Sequence, residues 1–166
     1  LAQSYREFEI VISDDGSTDG TPIQIFEVFG AQAEAIDILR SMGPSSIKPF
    51  SHVFQNDGIT IQYHYGINRG LSTARNRGIR AARGELVAFL EAEDTWETHH
   101  LQSQIDFFET KQDARVCRVI ERVVKDGKVR VSRKPVTASG WIFETALEAS
   151  PMSTSAVLAH RTCFTE

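Results

Sequence analysis

Little in this sequence points toward a disulfide scaffold, a membrane span or a nucleic acid. Its 166 residues include two cysteines, Cys117 and Cys163. Two are too few for a disulfide framework and their spacing fits no metal motif, so both are expected to be reduced thiols of an intracellular protein. No apolar run approaches the roughly 20 residues that cross a bilayer, and no signal peptide opens the chain. A formal net charge of -4 at pH 7 argues against a general nucleic-acid binder, which normally carries a basic patch or a high pI. The expected location is therefore cytoplasmic, with peripheral attachment at the inner face of a membrane left open. What remains, 41% hydrophobic and 24% charged, is ordinary for one soluble α/β domain with a real core.

The richest stretch runs from Asn68 to Trp96, N-R-G-L-S-T-A-R-N-R-G-I-R-A-A-R-G-E-L-V-A-F-L-E-A-E-D-T-W. Helix formers fill Leu71 to Arg83, and Gly84 is the stop. Leu86 to Leu90 is wholly apolar and of strand length, as expected for a parallel strand covered on both faces. Glu91, Glu93 and Asp94 follow at once, where ligands sit in open α/β sheets. At 100° per residue Leu71, Ala74, Gly78, Ile79 and Ala82 share one helix face, with Asn76, Arg77, Arg80 and Arg83 on the other. Arg75 lies inside the apolar stripe. A guanidinium there needs a partner, either a carboxylate at the strand ends or a bound phosphate. Gly66, Asn68 and Gly70 precede the helix, where glycines let backbone N–H groups approach a diphosphate or simply form a tight turn.

Elsewhere, Leu1 to Tyr5 looks like the tail of a helix, and Phe8 to Ser13 reads as a strand delivering Asp14 and Asp15 to a glycine- and serine-rich turn. Thr21-Pro22 caps a segment closed by Gly43, read as one long helix with Gly30 as a weak point. Pro44 to Gly58 reads as a long loop, and Ile59 to His64 as a strand that His64 finishes. His99 to Lys111 is a helix with Leu101, Ile105 and Phe108 inward. The adjacent His99 and His100 diverge by 100°, which suits a capping or surface role better than metal binding. Val116 to Val124 and Val129 to Val131 flank Lys125-Asp126-Gly127-Lys128, a hairpin signal. Gly140 to Ala149 reads as a short amphipathic helix and Ser153 to Ala159 as a final strand.

Two motifs together, V-I-S-D-D-G-S-T-D-G-T at residues 11–21 and N-R-G-L-S-T-A-R-N-R-G-I-R-A-A-R-G-E with its strand and acidic turn, resemble the family 2 glycosyltransferases. The resemblance implies a GT-A fold, a Rossmann-like three-layer α/β sandwich around a mostly parallel sheet, with the family's first strand missing here. It implies residues 1–111 as the nucleotide-sugar-binding half and 112–166 as the start of the acceptor side, together one domain fragment. It also implies Asp15, Asp14, Gly70 and Arg75 as nucleotide contacts, and Glu93, Glu91 and Asp94 as ligands of Mg²⁺ or Mn²⁺ against the diphosphate leaving group of a nucleotide-sugar donor. The acceptor would be a glycan or lipid-linked, and the base of an inverting reaction is expected beyond Glu166.

One departure matters. The family's D-x-D within D-A-D-D is Glu91-Ala92-Glu93-Asp94 here, and each Asp to Glu change lengthens the side chain by about 1.5 Å while keeping its charge. Mg²⁺ tolerates little error in ligand position. A degenerate domain that binds nucleotide-sugar without turnover is therefore one rival reading, and a nucleotidyltransferase of similar topology is another.

Overall fold

The structure, a computed structural model, describes residues 2–43, 46–126, 128–131, 140 and 153–164. The chain divides into two compact units, Arg6–Gly84 and Leu1–Tyr5 with Glu85–Glu166. The helix read at Gly140 to Ala149 lies outside the described residues apart from Gly140.

In the first unit, β1 (Ile10–Asp14) pairs parallel with β3 (Ile59–Tyr65), and β2 (Phe50–Asn56) adds an antiparallel edge to β3. β3 is the central strand, and its two faces differ in chemistry. Ile59, Ile61, Tyr63 and Tyr65 are buried on one side, where Phe26 and Leu39 join them in a core. Gln62 and His64 point the other way; the Gln62 carboxamide donates to the Ala81 carbonyl at 3.4 Å. Alternation along a strand produces this division. The helix α3 (Leu71–Ala81) covers the second face, where the Ser13 hydroxyl donates to the Ala74 carbonyl at 2.8 Å. Helices thus lie on both faces of a mixed sheet, the α/β arrangement expected.

Two expectations for this unit are corrected. The single helix read from Thr21 to Gly43 is two, α1 (Thr21–Val28) and α2 (Ala33–Ser41). Gly30 takes φ +75°, and the Ala31 N–H reaches back to the Phe26 carbonyl at 2.9 Å, so the glycine ends α1 as a left-handed cap instead of merely weakening a longer helix. The loop read from Pro44 to Gly58 contains β2. Asp57 and Gly58 both adopt positive φ, +50° and +74°, which gives the two-residue hairpin turn for which Asp-Gly is the commonest signal.

In the second unit, β8 (Val157–His160) lies between β4 (Leu86–Ala88) and β5 (Val116–Arg118), antiparallel to both. Among the described residues the Leu86 to Leu90 run thus pairs antiparallel where a parallel strand was expected, and β4 is three residues long with Val87 buried and its neighbours half-buried. An apolar run this short does not specify the direction of its partner. The helix α4 (His100–Thr110) buries Leu101 and Gln104, and the Gln104 carboxamide donates to the Ala156 carbonyl at 3.1 Å. Residues 2–5 are not helical. Instead the Ser4 N–H donates to the Thr98 carbonyl at 2.8 Å, and the Gln3 carboxamide oxygen accepts from the Leu101 N–H at 3.0 Å, which satisfies one of the exposed donors of the first turn of α4. The Lys125 to Lys128 hairpin is present as β6 (Arg122–Lys125) and β7 (Lys128–Val131).

Phe26 makes edge-on ring contacts with Phe50, Phe54 and Tyr63 at 6.0, 5.2 and 6.2 Å. Phe26→Ala should cost about 3–5 kcal/mol of stability, read by chemical denaturation of the whole chain; a loss under 1 kcal/mol would mean that this cluster does not hold the unit together.

Candidate functional site

The end of β1 carries Asp14 and Asp15, and successive strand residues face opposite ways. Asp14 turns toward the core face and is buried. One of its oxygens accepts from the Tyr63 hydroxyl at 2.7 Å, the other from the Ser17 N–H at 2.7 Å. Burial, reinforced by the hydrogen bond to Asp14, pushes the Tyr63 phenol well above its ordinary range, so it remains a donor. The Tyr65 hydroxyl adds a bond to the Ser17 carbonyl at 3.2 Å. The turn that follows β1 thus hangs from two tyrosines whose rings lie in the aromatic core.

Asp15 turns toward α3. Its carboxylate accepts from the Gly70 N–H at 2.7 Å, the Arg69 N–H at 3.1 Å and the Arg77 guanidinium at 3.3 Å. Gly70 has φ +88° and occupies the N-cap of α3, so Asp15 supplies the anion that this helix terminus favours. Gly16 also takes a positive φ, +83°, and a Cβ there would lie 2.8 Å from the Asn68 nitrogen. Only glycine permits that approach between the two loops.

Arg77 completes the junction. Besides Asp15, its guanidinium donates to the Asp14 carbonyl at 3.0 Å, and the Gly66 N–H donates to the same carbonyl at 2.9 Å. A Cβ on Gly66 would fall on the guanidinium. The sequence reading put Arg77 on the solvated face of α3 and Arg75 on the inward one. In the structure Arg75 is half-buried, and Arg77, also half-buried, ties the Asp14–Asp15 turn to the loop before α3. Face assignment by a fixed 100° treats each side chain as ending at its Cβ, whereas a long arginine can reach back along the helix to the sheet edge. The spacing held no other signal for it.

An open cleft of about 430 Å³ adjoins this junction, lined among others by Phe50, His64, Tyr65, Arg69, Thr73 and Arg77. His64 accepts or donates a 2.7 Å hydrogen bond with the Ser51 hydroxyl through Nδ1. Burial, and secondarily the Arg77 charge, lower its pKa.

The acidic turn belongs to the second unit. Beyond β4, the Asp94 N–H donates to the Glu91 carbonyl at 3.1 Å. Ser155, buried in the short 3₁₀ turn before β8, holds this turn at both ends: its hydroxyl accepts from the Glu91 N–H at 3.0 Å, and its carbonyl from the Trp96 indole N–H at 2.8 Å. Trp96 stacks on His100 at 4.4 Å between ring centres, and burial lowers the His100 pKa. His99 is the N-cap residue of α4, hydrogen-bonded to Ser4. Glu91 is half-buried, Glu93 and Asp94 are exposed. Among the described residues, no group of three or more His, Cys, Asp or Glu side chains is arranged to hold a metal ion. Cys117 is buried, which pushes its thiol up to about 11 and leaves it unreactive near neutral pH.

Comparison with known proteins settles the family. The family model for glycosyl transferase family 2 matches residues 45–162. The chain belongs to this family. It is 38% identical over 110 residues, 66% of its length, to an uncharacterized glycosyltransferase of Nostoc, covering 26% of that protein. It is 26% identical over all 166 residues to an uncharacterized glycosyltransferase of Rickettsia felis, covering 23% of it. It is 32% identical over 112 residues, 68% of its length, to a UDP-Glc:alpha-D-GlcNAc-diphosphoundecaprenol beta-1,3-glucosyltransferase of Escherichia coli, covering 34% of it. The family 2 chain thus spans about a quarter of the length of the first of these relatives. The GT-A fold expected from the resemblance follows from the family.

Arg77→Ala should lower stability by about 1.5–3 kcal/mol, the usual worth of hydrogen bonds from a charged group, while Arg80→Ala on the exposed face should change it by less than about 0.5 kcal/mol. Equal losses in urea unfolding would show that Arg77 does not bear the junction.

Proposed function

We propose that this chain is the donor-binding part of a glycosyltransferase that moves a sugar from a nucleoside diphosphate to an acceptor hydroxyl. The observation that carries the reading is the junction at the end of β1, where Asp14, Asp15, Gly70 and Arg77 meet, in a family 2 chain. The nucleotide is read as lying against the Asp14–Asp15 turn, whose carboxylates accept from the ribose or base. Both carboxylates already serve the fold, so nucleotide contacts would use lone pairs that the Tyr63, Ser17, Arg69 and Gly70 donors leave over. Arg75 and the first turn of α3 add positive charge for the phosphates.

In the transfer, the acceptor oxygen forms the new bond to the anomeric carbon as the bond from that carbon to the diphosphate breaks, and the hydroxyl proton passes to a base. No residue of this chain is assigned that role. The diphosphate leaves with its bonding pair, and the negative charge then needs stabilising. A bound Mg²⁺ or Mn²⁺ supplies this by Lewis acidity. Glu91, Glu93 and Asp94 are the oxygen donors proposed for it. Among the described residues no three such side chains converge, so any ion held there would rest on one or two of these carboxylates and would act on the leaving diphosphate as a Lewis acid. The relative in Escherichia coli suggests a donor of the UDP-glucose class and a lipid-linked acceptor.

Calorimetric titration of the full-length protein with UDP, GDP and TDP, with and without Mn²⁺, tests the reading. Metal-dependent binding of one of them is expected, and Glu91→Asp with Glu93→Asp should tighten the metal. Metal-independent binding points to a domain that binds without turnover. Absence of binding by all three overturns the proposal.

A further inference from the structure

Residues 115–134 hold eight of the 18 basic residues of the chain but only two of its 22 acidic ones. That is a net charge of +6 on a segment of a protein whose total is -4. Charge so concentrated within an acidic chain is a local field rather than a property of the whole surface, and it selects an anionic partner.

The structure describes part of this segment, β6 and β7. β6 and β7 form a ribbon that, among the described residues, hydrogen-bonds to no third strand. A two-stranded ribbon is marginal in water on its own. Val124 and Val129 stand directly opposite each other, 68% and 61% exposed, and so make an apolar patch on one face. Lys125 and Lys128 are also directly opposite each other and exposed. Like charges in that register repel, and a negative partner lying across them removes the cost. Arg122 forms an exposed ion pair with Glu97 at 2.9 Å, and Asp126 lies at the tip with φ +52°.

We propose that the β6–β7 ribbon docks on an anionic lipid bilayer, with Lys125 and Lys128 at the headgroups and the Val124–Val129 pair at the edge of the acyl region. Successive strand residues face opposite ways, so the valines and the lysines occupy opposite faces of an amphipathic ribbon, which lies in the plane of the interface with its apolar face down and its basic side chains at headgroup level. Nucleic acid fits less well, since residues 115–134 contain no aromatic side chain on which a base could stack. This inference does not depend on the nucleotide reading.

The test is co-sedimentation of the full-length protein with vesicles of phosphatidylcholine alone or with about 30% phosphatidylglycerol. Binding only to the anionic vesicles, weakening with salt, is expected. Lys125→Glu with Lys128→Glu should reduce partitioning by about tenfold or more, and Val124→Ser with Val129→Ser should reduce it as well. Circular dichroism and nucleotide titration should be unchanged in both variants, so that failure of this inference is distinguishable from failure of the donor-site reading. Equal binding to both vesicle types, no binding, or variants that bind like the parent would overturn it. So would binding of single-stranded RNA in place of vesicles, or a dimer that the valine changes dissociate without any vesicle binding.

Discussion

Two neighbouring carboxylates with opposite tasks set the arrangement of the first unit. Asp14 and Asp15 leave the same strand on opposite faces, because strand side chains alternate. That alternation separates two negative charges that would otherwise compete for one environment. Asp14 is drawn into the core side by the Tyr63 hydroxyl, and Asp15 toward the helix side by two backbone N–H groups and Arg77. The Arg77 guanidinium then returns to the Asp14 carbonyl and joins the two sides. Removing any of these groups would strand a buried polar partner, and this costs more than the bond itself contributes. The strand end, the loop before α3 and the N-terminus of α3 are consequently one cooperative unit.

The tyrosines show why such a junction needs a folded core beneath it. Tyr63 and Tyr65 project from β3 into the aromatic cluster, where Phe50 stacks on Tyr65 at 5.6 Å. Each is apolar in body and polar at the tip, so its hydroxyl emerges where the core ends. Phe50 comes from β2. The hairpin that reads as a loop therefore supplies one wall for the rings that position the turn.

Which parts of this were legible in the sequence follows from the range of the forces involved. Local signals were readable: the β1 and β3 runs, the α3 helix, the Lys125 to Lys128 hairpin and the place of Asp14 and Asp15 at a strand end. The break at Gly30 was visible as a weakness, and only the fold decides whether a chain bends there or continues. β2 was hidden because Pro44, Pro49 and the Asn56-Asp57-Gly58 turn signal read together as one loop, whereas that turn joins two paired strands. Arg77 and Ser155 were not legible at all. Their roles depend on where a long side chain reaches, or on a strand about sixty residues away, and no local spacing records either.

The acidic turn illustrates the same dependence in the second unit. Its ends are fixed by Ser155 through the Glu91 N–H and the Trp96 indole, so the backbone between them is held while Glu93 and Asp94 stay exposed. A fixed backbone with longer side chains is a particular compromise. Each added methylene gives a carboxylate more reach and more conformers, and ordering those conformers around a cation has an entropic cost. A demanding octahedral ion loses most by this, whereas an oxygen-binding ion with looser geometry loses less. If the proposed cation binds there, the Glu-for-Asp exchange would make these carboxylates a looser ligand set than two aspartates at the same backbone positions.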